Sequence, residues 1–100
     1  MKEKTKESDK IIRKLEEKKQ NIRKYGVKKI GVFGSFVKDK QHKKSDIDIL
    51  VTFENISFDS YLNILTFLEK MFKRKIDLVI EDDLKPELKY VKKEAEYAKI

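Results

Sequence analysis

Between Ser8 and Tyr25 the apolar residues Ile12, Leu15 and Ile22 recur at helical spacing, with Lys18 and Lys19 interrupting the stripe. This predicts a peripheral helix over about 8–25, capped by Ser8 and stopped by Gly26. Ile30-Gly31-Val32-Phe33 is a short apolar run closed by Gly34-Ser35, the pattern of a buried strand that turns at once into a loop or helix. After a polar stretch, Asp46-Ile47-Asp48-Ile49-Leu50-Val51 reads as a second strand, with Asp46 and Asp48 on one face and Ile47, Ile49 and Val51 on the other. Phe58, Tyr61, Leu62, Leu65, Leu68 and Phe72 then recur at helical spacing behind Ser57 and Asp59, either of which can cap, and predict the main core helix. Lys75 to Ile80 alternates again as a third strand, Ile76, Leu78 and Ile80 opposing Asp77 and Val79. Asp83 and Pro86 open a last helix over about 84–97, with Leu88, Val91 and Ala95 as its buried stripe. The order is α-β-(α)-β-α-β-α, an α/β pattern, and no repeat or linker divides residues 1–100, so one domain is expected with its core at about 28–80.

Composition narrows what such a domain does. Charged residues (43%) outnumber apolar ones (39%), so the core is thin and a partner that shares the active site becomes plausible. The absence of cysteine removes disulfides, thiolate catalysis and cysteine zinc sites, and suits a reducing, cytoplasmic setting. Neither a signal peptide nor a spanning segment is expected from the apolar runs. The net charge of +7 raises nucleic acid as a partner, but only Arg13, Arg23 and Arg74 are arginines and the lysines are scattered among glutamates, which favours a solvated surface over a groove-reading patch. His42 is the only histidine, which excludes a multi-histidine metal site and reads as a solvated loop residue.

The candidate chemistry lies in the carboxylates. Two aspartates at i and i+2 of a strand point the same way, about 6 to 7 Å apart, and can reach one or two hard cations. Asp46 and Asp48 between apolar neighbours repel one another unless a cation neutralises them, although alternation alone fits a solvated strand face equally well. Gly34-Ser35 supplies a second element, because a turn after a buried strand presents backbone N–H groups and a hydroxyl to phosphate. Asp82 and Asp83 form another acidic pair, but at a strand-to-helix junction capping explains at least one of them, and they are left out of the metal site.

Taken together, Val32-Phe33-Gly34-Ser35 and Ser45-Asp46-Ile47-Asp48-Ile49-Leu50-Val51 resemble the signature of the polymerase β nucleotidyltransferase superfamily. The short chain is similar to the minimal nucleotidyltransferases that act as antitoxins beside HEPN-domain toxins, a resemblance that runs from about Tyr25 to Tyr97 and includes Asp77 in Arg74-Lys75-Ile76-Asp77-Leu78-Val79. It implies an α/β (α+β) fold with a small mixed sheet of three or more strands flanked by helices. It further implies that Asp46 and Asp48 bind two Mg²⁺ ions (Mn²⁺ as the alternative), that Asp77 completes the metal site or acts as base, and that Gly34 and Ser35 hold the phosphates of ATP. Lys38 would replace a phosphate-binding arginine, while Asp39 stands where the family commonly has glycine. The expected activity is transfer of AMP to a hydroxyl, a tyrosine of a HEPN ribonuclease toxin, with no membrane and no nucleic acid as partner. A small-molecule acceptor and a non-catalytic module that neutralises its partner by occlusion are the competing expectations.

Overall fold

The computed structural model describes residues 7–34 and 46–100. Its elements are α1 (Glu7–Glu17), α2 (Lys19–Lys24), β1 (Val27–Phe33), β2 (Ile47–Phe53), α3 (Phe58–Phe72), β3 (Ile76–Ile80), short 3₁₀ turns at Glu81–Asp83 and Pro86–Leu88, α4 (Tyr90–Glu94) and β4 (Glu96–Tyr97). The strands form one mixed sheet in the order β3-β2-β1-β4. β2 runs antiparallel to β1 and parallel to β3, and β4 pairs antiparallel with the outer edge of β1. The expected α/β (α+β) class, with its small mixed sheet flanked by helices, is the one observed.

Burial follows the alternation of the strands. Ile30, Val32, Ile47, Ile49, Val51, Ile76 and Leu78 turn one face of the sheet into a shared core with Ile11, Leu15, Ile22, Ile64 and Leu68 of the helices. Full burial of each such side chain contributes on the order of 1.5–3 kcal/mol, which makes this face the main source of stability. The opposite face carries Phe33, Asp48 and Asp77 at one end, Gly31 and Leu50 in the middle, and Lys29, Thr52 and Glu81 at the other, a set that follows from register and alternation.

Four helical expectations need correction. The single helix over 8–25 divides into α1 and α2 at Lys18, whose N–H is shared between the carbonyls of Lys14 and Leu15. One turn beyond Leu15 the positions that would continue the stripe are Lys18 and Lys19, both exposed, so that turn has nothing to bury and the helix breaks there before Ile22 re-enters the core. Ser8 does not cap: it lies inside α1, fully buried, with no hydrogen-bond partner for its hydroxyl among the described residues. In α3 the cap is Ser57, whose side chain accepts from the Ser60 N–H at 3.1 Å. Its buried side runs through Ile64 and Leu68, leaving Phe58 and Leu62 of the expected stripe outside.

The helix expected over 84–97 is instead one 3₁₀ turn at Pro86–Leu88, the single-turn α4 and strand β4. Of its expected stripe Val91 is buried and Leu88 is exposed, so an amphipathic helix had too little core to cover. Pairing with β1 gives the tail a better partner. Gly31 makes this fit possible, because a Cβ there would lie 2.8 Å from the Glu96 carbonyl oxygen and 2.9 Å from the Tyr97 ring. Across the sheet the Tyr97 hydroxyl donates to Glu81 Oε1 at 2.6 Å, and Lys29 Nζ sits 4.6 Å from the centroid of the same ring.

Candidate active site

The parallel register of β2 and β3 sets Asp48 directly opposite Asp77 on adjacent strands, about 4.8 Å apart at their backbones. On the other side of β2, Asp48 is opposite Phe33, the last residue of β1. Gly34 follows at a φ of +76°, a left-handed conformation that costs residues with a Cβ about 1–2 kcal/mol. A Cβ at Gly34 would also fall 2.2 Å from Oδ2 of Asp48 and 3.0 Å from its Cγ. The carboxylate of Asp48 therefore lies against the Cα of Gly34, in space that a side chain would fill. Glycine and aspartate thus form one unit: the turn out of β1 is shaped by the acid on β2.

Asp46 lies immediately before β2 and is exposed. The structure thus brings Asp48, Asp77 and Gly34 together at one end of the sheet, with Asp46 two residues upstream of Asp48. Ser35, Lys38, Asp39, His42 and the remaining lysines of that loop lie outside the described residues. Among the described residues no three carboxylate or imidazole side chains converge closely enough to enclose a metal ion. The donor set nevertheless fits Mg²⁺, which takes oxygen ligands and is commonly held by one or two carboxylates with substrate phosphates completing its sphere. Adjoining Asp48 and Asp77 supply such an open platform.

Tyr61 was assigned to the core helix on spacing alone, yet it borders this site. From α3 it donates to the Leu78 carbonyl at 2.8 Å, one residue beyond Asp77. Burial, and then the negative charge of Asp77, push its phenol above the ordinary value, so it stays a neutral donor. A cleft on the helix side of the sheet contains Lys10, Lys14 and Arg74 beside Ile47 and Phe72. Its cations have protein partners, Lys10 on Glu7 at 3.1 Å and Lys14 over the Phe72 ring at 5.9 Å, and it behaves as surface packing.

Glu81 is the buried acid that sequence reading passed over; its signal was the i, i+4 spacing from Asp77 on the same strand face. Burial raises its carboxyl, but the Tyr97 hydroxyl and the ammoniums of Lys29 (3.5 Å) and Lys92 (3.7 Å) outweigh that and hold it below its ordinary 4.5. Desolvation and the Glu81 charge in turn push the Tyr97 phenol far above its ordinary value of 10.0. About four residues of strand, roughly 13 Å, separate this cluster from the Asp48 end of the sheet, and it pins the tail to the sheet.

Comparison with known proteins agrees with this geometry. The model of the nucleotidyltransferase domain family matches residues 4–100. The chain is similar to protein adenylyltransferase MntA of Thermococcus cleftensis, with 41% identity over 69 residues covering 68% of this chain and 70% of the relative. A Methanocaldococcus jannaschii relative, provisionally named a protein adenylyltransferase, is 40% identical over 87 residues, 86% of this chain and 85% of its own. A solved, provisionally assigned minimal nucleotidyltransferase superposes with a TM-score of 0.70 at 26% identity, covering 85% and 93% of the two chains. The same fold recurs, at 20% identity and a TM-score of 0.60 over 86% and 70% of the chains, in a complex of tri-AMPylated Shewanella oneidensis HEPN toxin with MNT antitoxin. By sequence, fold and the arrangement at the head of β2, the chain belongs to the nucleotidyltransferase domain family.

Proposed function

We propose that this chain is a protein adenylyltransferase that moves AMP from ATP to a tyrosine hydroxyl of a HEPN-domain toxin and silences it, working in the cytoplasm with Mg²⁺. The observation that carries the reading is the placement of Asp48 opposite Asp77, with the Asp48 carboxylate against the turn at Gly34. Relatives named protein adenylyltransferase and a structural neighbour that pairs an AMPylated HEPN toxin with its antitoxin supply the acceptor class.

Asp46 and Asp48 would hold Mg²⁺, with Asp77 beside them, and Gly34, Ser35 and Lys38 would bind the ATP phosphates. There Mg²⁺ would supply positive charge to offset that building on the α-phosphate and the departing pyrophosphate. The acceptor oxygen forms a bond to the α-phosphorus as the bond to the bridging oxygen breaks, pyrophosphate leaves, and the hydroxyl proton passes to a carboxylate, a role we give to Asp77, which is exposed on the edge strand. Little else is required of the protein, since such transfers depend chiefly on positioning and charge stabilisation.

The test uses ATP labelled at either end. Label at the α-phosphate should appear on the HEPN-domain protein and label at the γ-phosphate should leave as pyrophosphate; γ-label on protein would make the chain a kinase, and label on neither would remove the catalytic reading.

A further inference from the structure

The chain has 25 basic residues, yet from Val51 to Glu69 and again from Ile76 to Leu84 it has none. The fold sets these two stretches side by side. The start of α3 and the end of β3 frame an open groove of about 530 Å³, lined by Ile56, Ser57, Phe58, Tyr61 and Ile80. Phe58 is 76% exposed and Ile56 56%, large apolar side chains left in water next to one another on a small domain. Exposed Asp59, Asp82 and Asp83 belong to the same stretches, so an apolar groove with acidic neighbours stands out from an otherwise lysine-rich surface.

The shape and the charge limit the occupant. Acidic flanks repel nucleic acid and attract basic polypeptide. β3 is the edge strand of the sheet, but the Tyr61 hydroxyl already occupies the Leu78 carbonyl, so an incoming strand finds that acceptor taken. A helix needs no such backbone partner and can lay an apolar stripe into the groove. Tyr61 lines the groove and bonds the Leu78 carbonyl, so the groove lies along the same edge strand that carries Asp77, about three residues of strand, roughly 10 Å, from it.

We infer that the groove of Ile56, Phe58, Tyr61 and Ile80 seats an amphipathic helix of the acceptor protein, its apolar stripe over Phe58 and its lysines or arginines toward Asp59, Asp82 and Asp83. This rests on the proposed transfer to a protein acceptor, and names the surface that brings the acceptor to the site.

The test titrates the HEPN-domain protein of the same genome against the full chain by calorimetry, using wild type, Phe58→Lys, Asp59→Lys/Asp83→Lys and Asp48→Asn. Phe58 is exposed, so Phe58→Lys should melt as wild type does, while its affinity falls about 30-fold, the loss of one interface hot spot. The double charge reversal should weaken binding most at low salt, and Asp48→Asn should bind normally. Wild-type affinity for Phe58→Lys, no binding by the wild type, or self-association of the chain alone that Phe58→Lys abolishes would each overturn the inference. Normal, Phe58-dependent binding with no AMP transfer would instead defeat the catalytic reading and leave the groove standing.

Discussion

Replacing Gly34 by alanine perturbs the fold and the candidate site at one atom. The new Cβ meets two costs. Alanine at a φ of +76° is disfavoured by about 1–2 kcal/mol. It would also stand 2.2 Å from Oδ2 of Asp48, where ordinary non-bonded contact begins at about 3.5 Å, so the carboxylate must retreat by about 1 Å. In a domain of this size each kcal/mol lowers Tm by about 4–8 °C, so Gly34→Ala should melt about 4–16 °C below wild type by circular dichroism. A displacement of about 1 Å at a reacting group costs on the order of 100-fold in rate, and AMP transfer should fall by that much. The companion Gly34→Ala/Asp48→Ala removes the clash while keeping the backbone strain, and should recover part of the stability without activity. If Gly34→Ala alone retained both wild-type Tm and wild-type transfer, the contact between the turn and Asp48 would have no consequence and the reasoning would fail.

The far end of the sheet yields two predictions that concern stability alone. Tyr97→Phe removes the 2.6 Å donor to a buried carboxylate and should cost about 1–3 kcal/mol in urea unfolding, with transfer unchanged because the cluster stands well away from Asp48. The pH dependence follows from the directions of the two shifts. Glu81 is depressed, so its contribution is complete above its unfolded value of 4.5 and is lost as pH falls below that; Tyr97 is raised, so its contribution is complete below its unfolded value of 10.0 and is lost as pH rises above that. Unfolding free energy should therefore form a plateau between those limits in wild type, and Tyr97→Phe should reduce its alkaline edge to the share of the likewise raised Tyr61; an alkaline edge unchanged in the variant would assign it to other groups.

Strand assignment was legible because period-two alternation is hard to imitate: Asp46 to Val51 and Lys75 to Ile80 each showed which side chains enter the core. The helices were less legible. Lys18 and Lys19 interrupt the stripe and on spacing indicate only a peripheral position for one helix, whereas they mark where α1 ends and α2 begins. The tail was misread because Leu88, Val91 and Ala95 have helical spacing, while its structure depends on a long-range pairing with Gly31 and on the Tyr97–Glu81 bond, neither of which leaves a local signal. In the candidate site the aspartates stood out by type and spacing, but the pairing of Asp48 with Asp77 needs the register, and the tight contact of Gly34 with Asp48 needs both strands. Phe58 shows the converse limit, since a helical stripe cannot distinguish a core residue from one left exposed beside a groove.

The account depends on carboxylate-held cation chemistry, and one measurement addresses it directly. The HEPN-domain protein, ATP labelled at the α-phosphate and Mg²⁺ are mixed with wild type or with the folded double variant Asp46→Asn/Asp48→Asn, and label on protein is counted. The account predicts label with wild type, none above background with the variant, and a toxin that the variant binds without silencing. Equal labelling by the variant, or a variant that silences the toxin with no label transferred, would contradict it and make the chain a protein that works by occlusion.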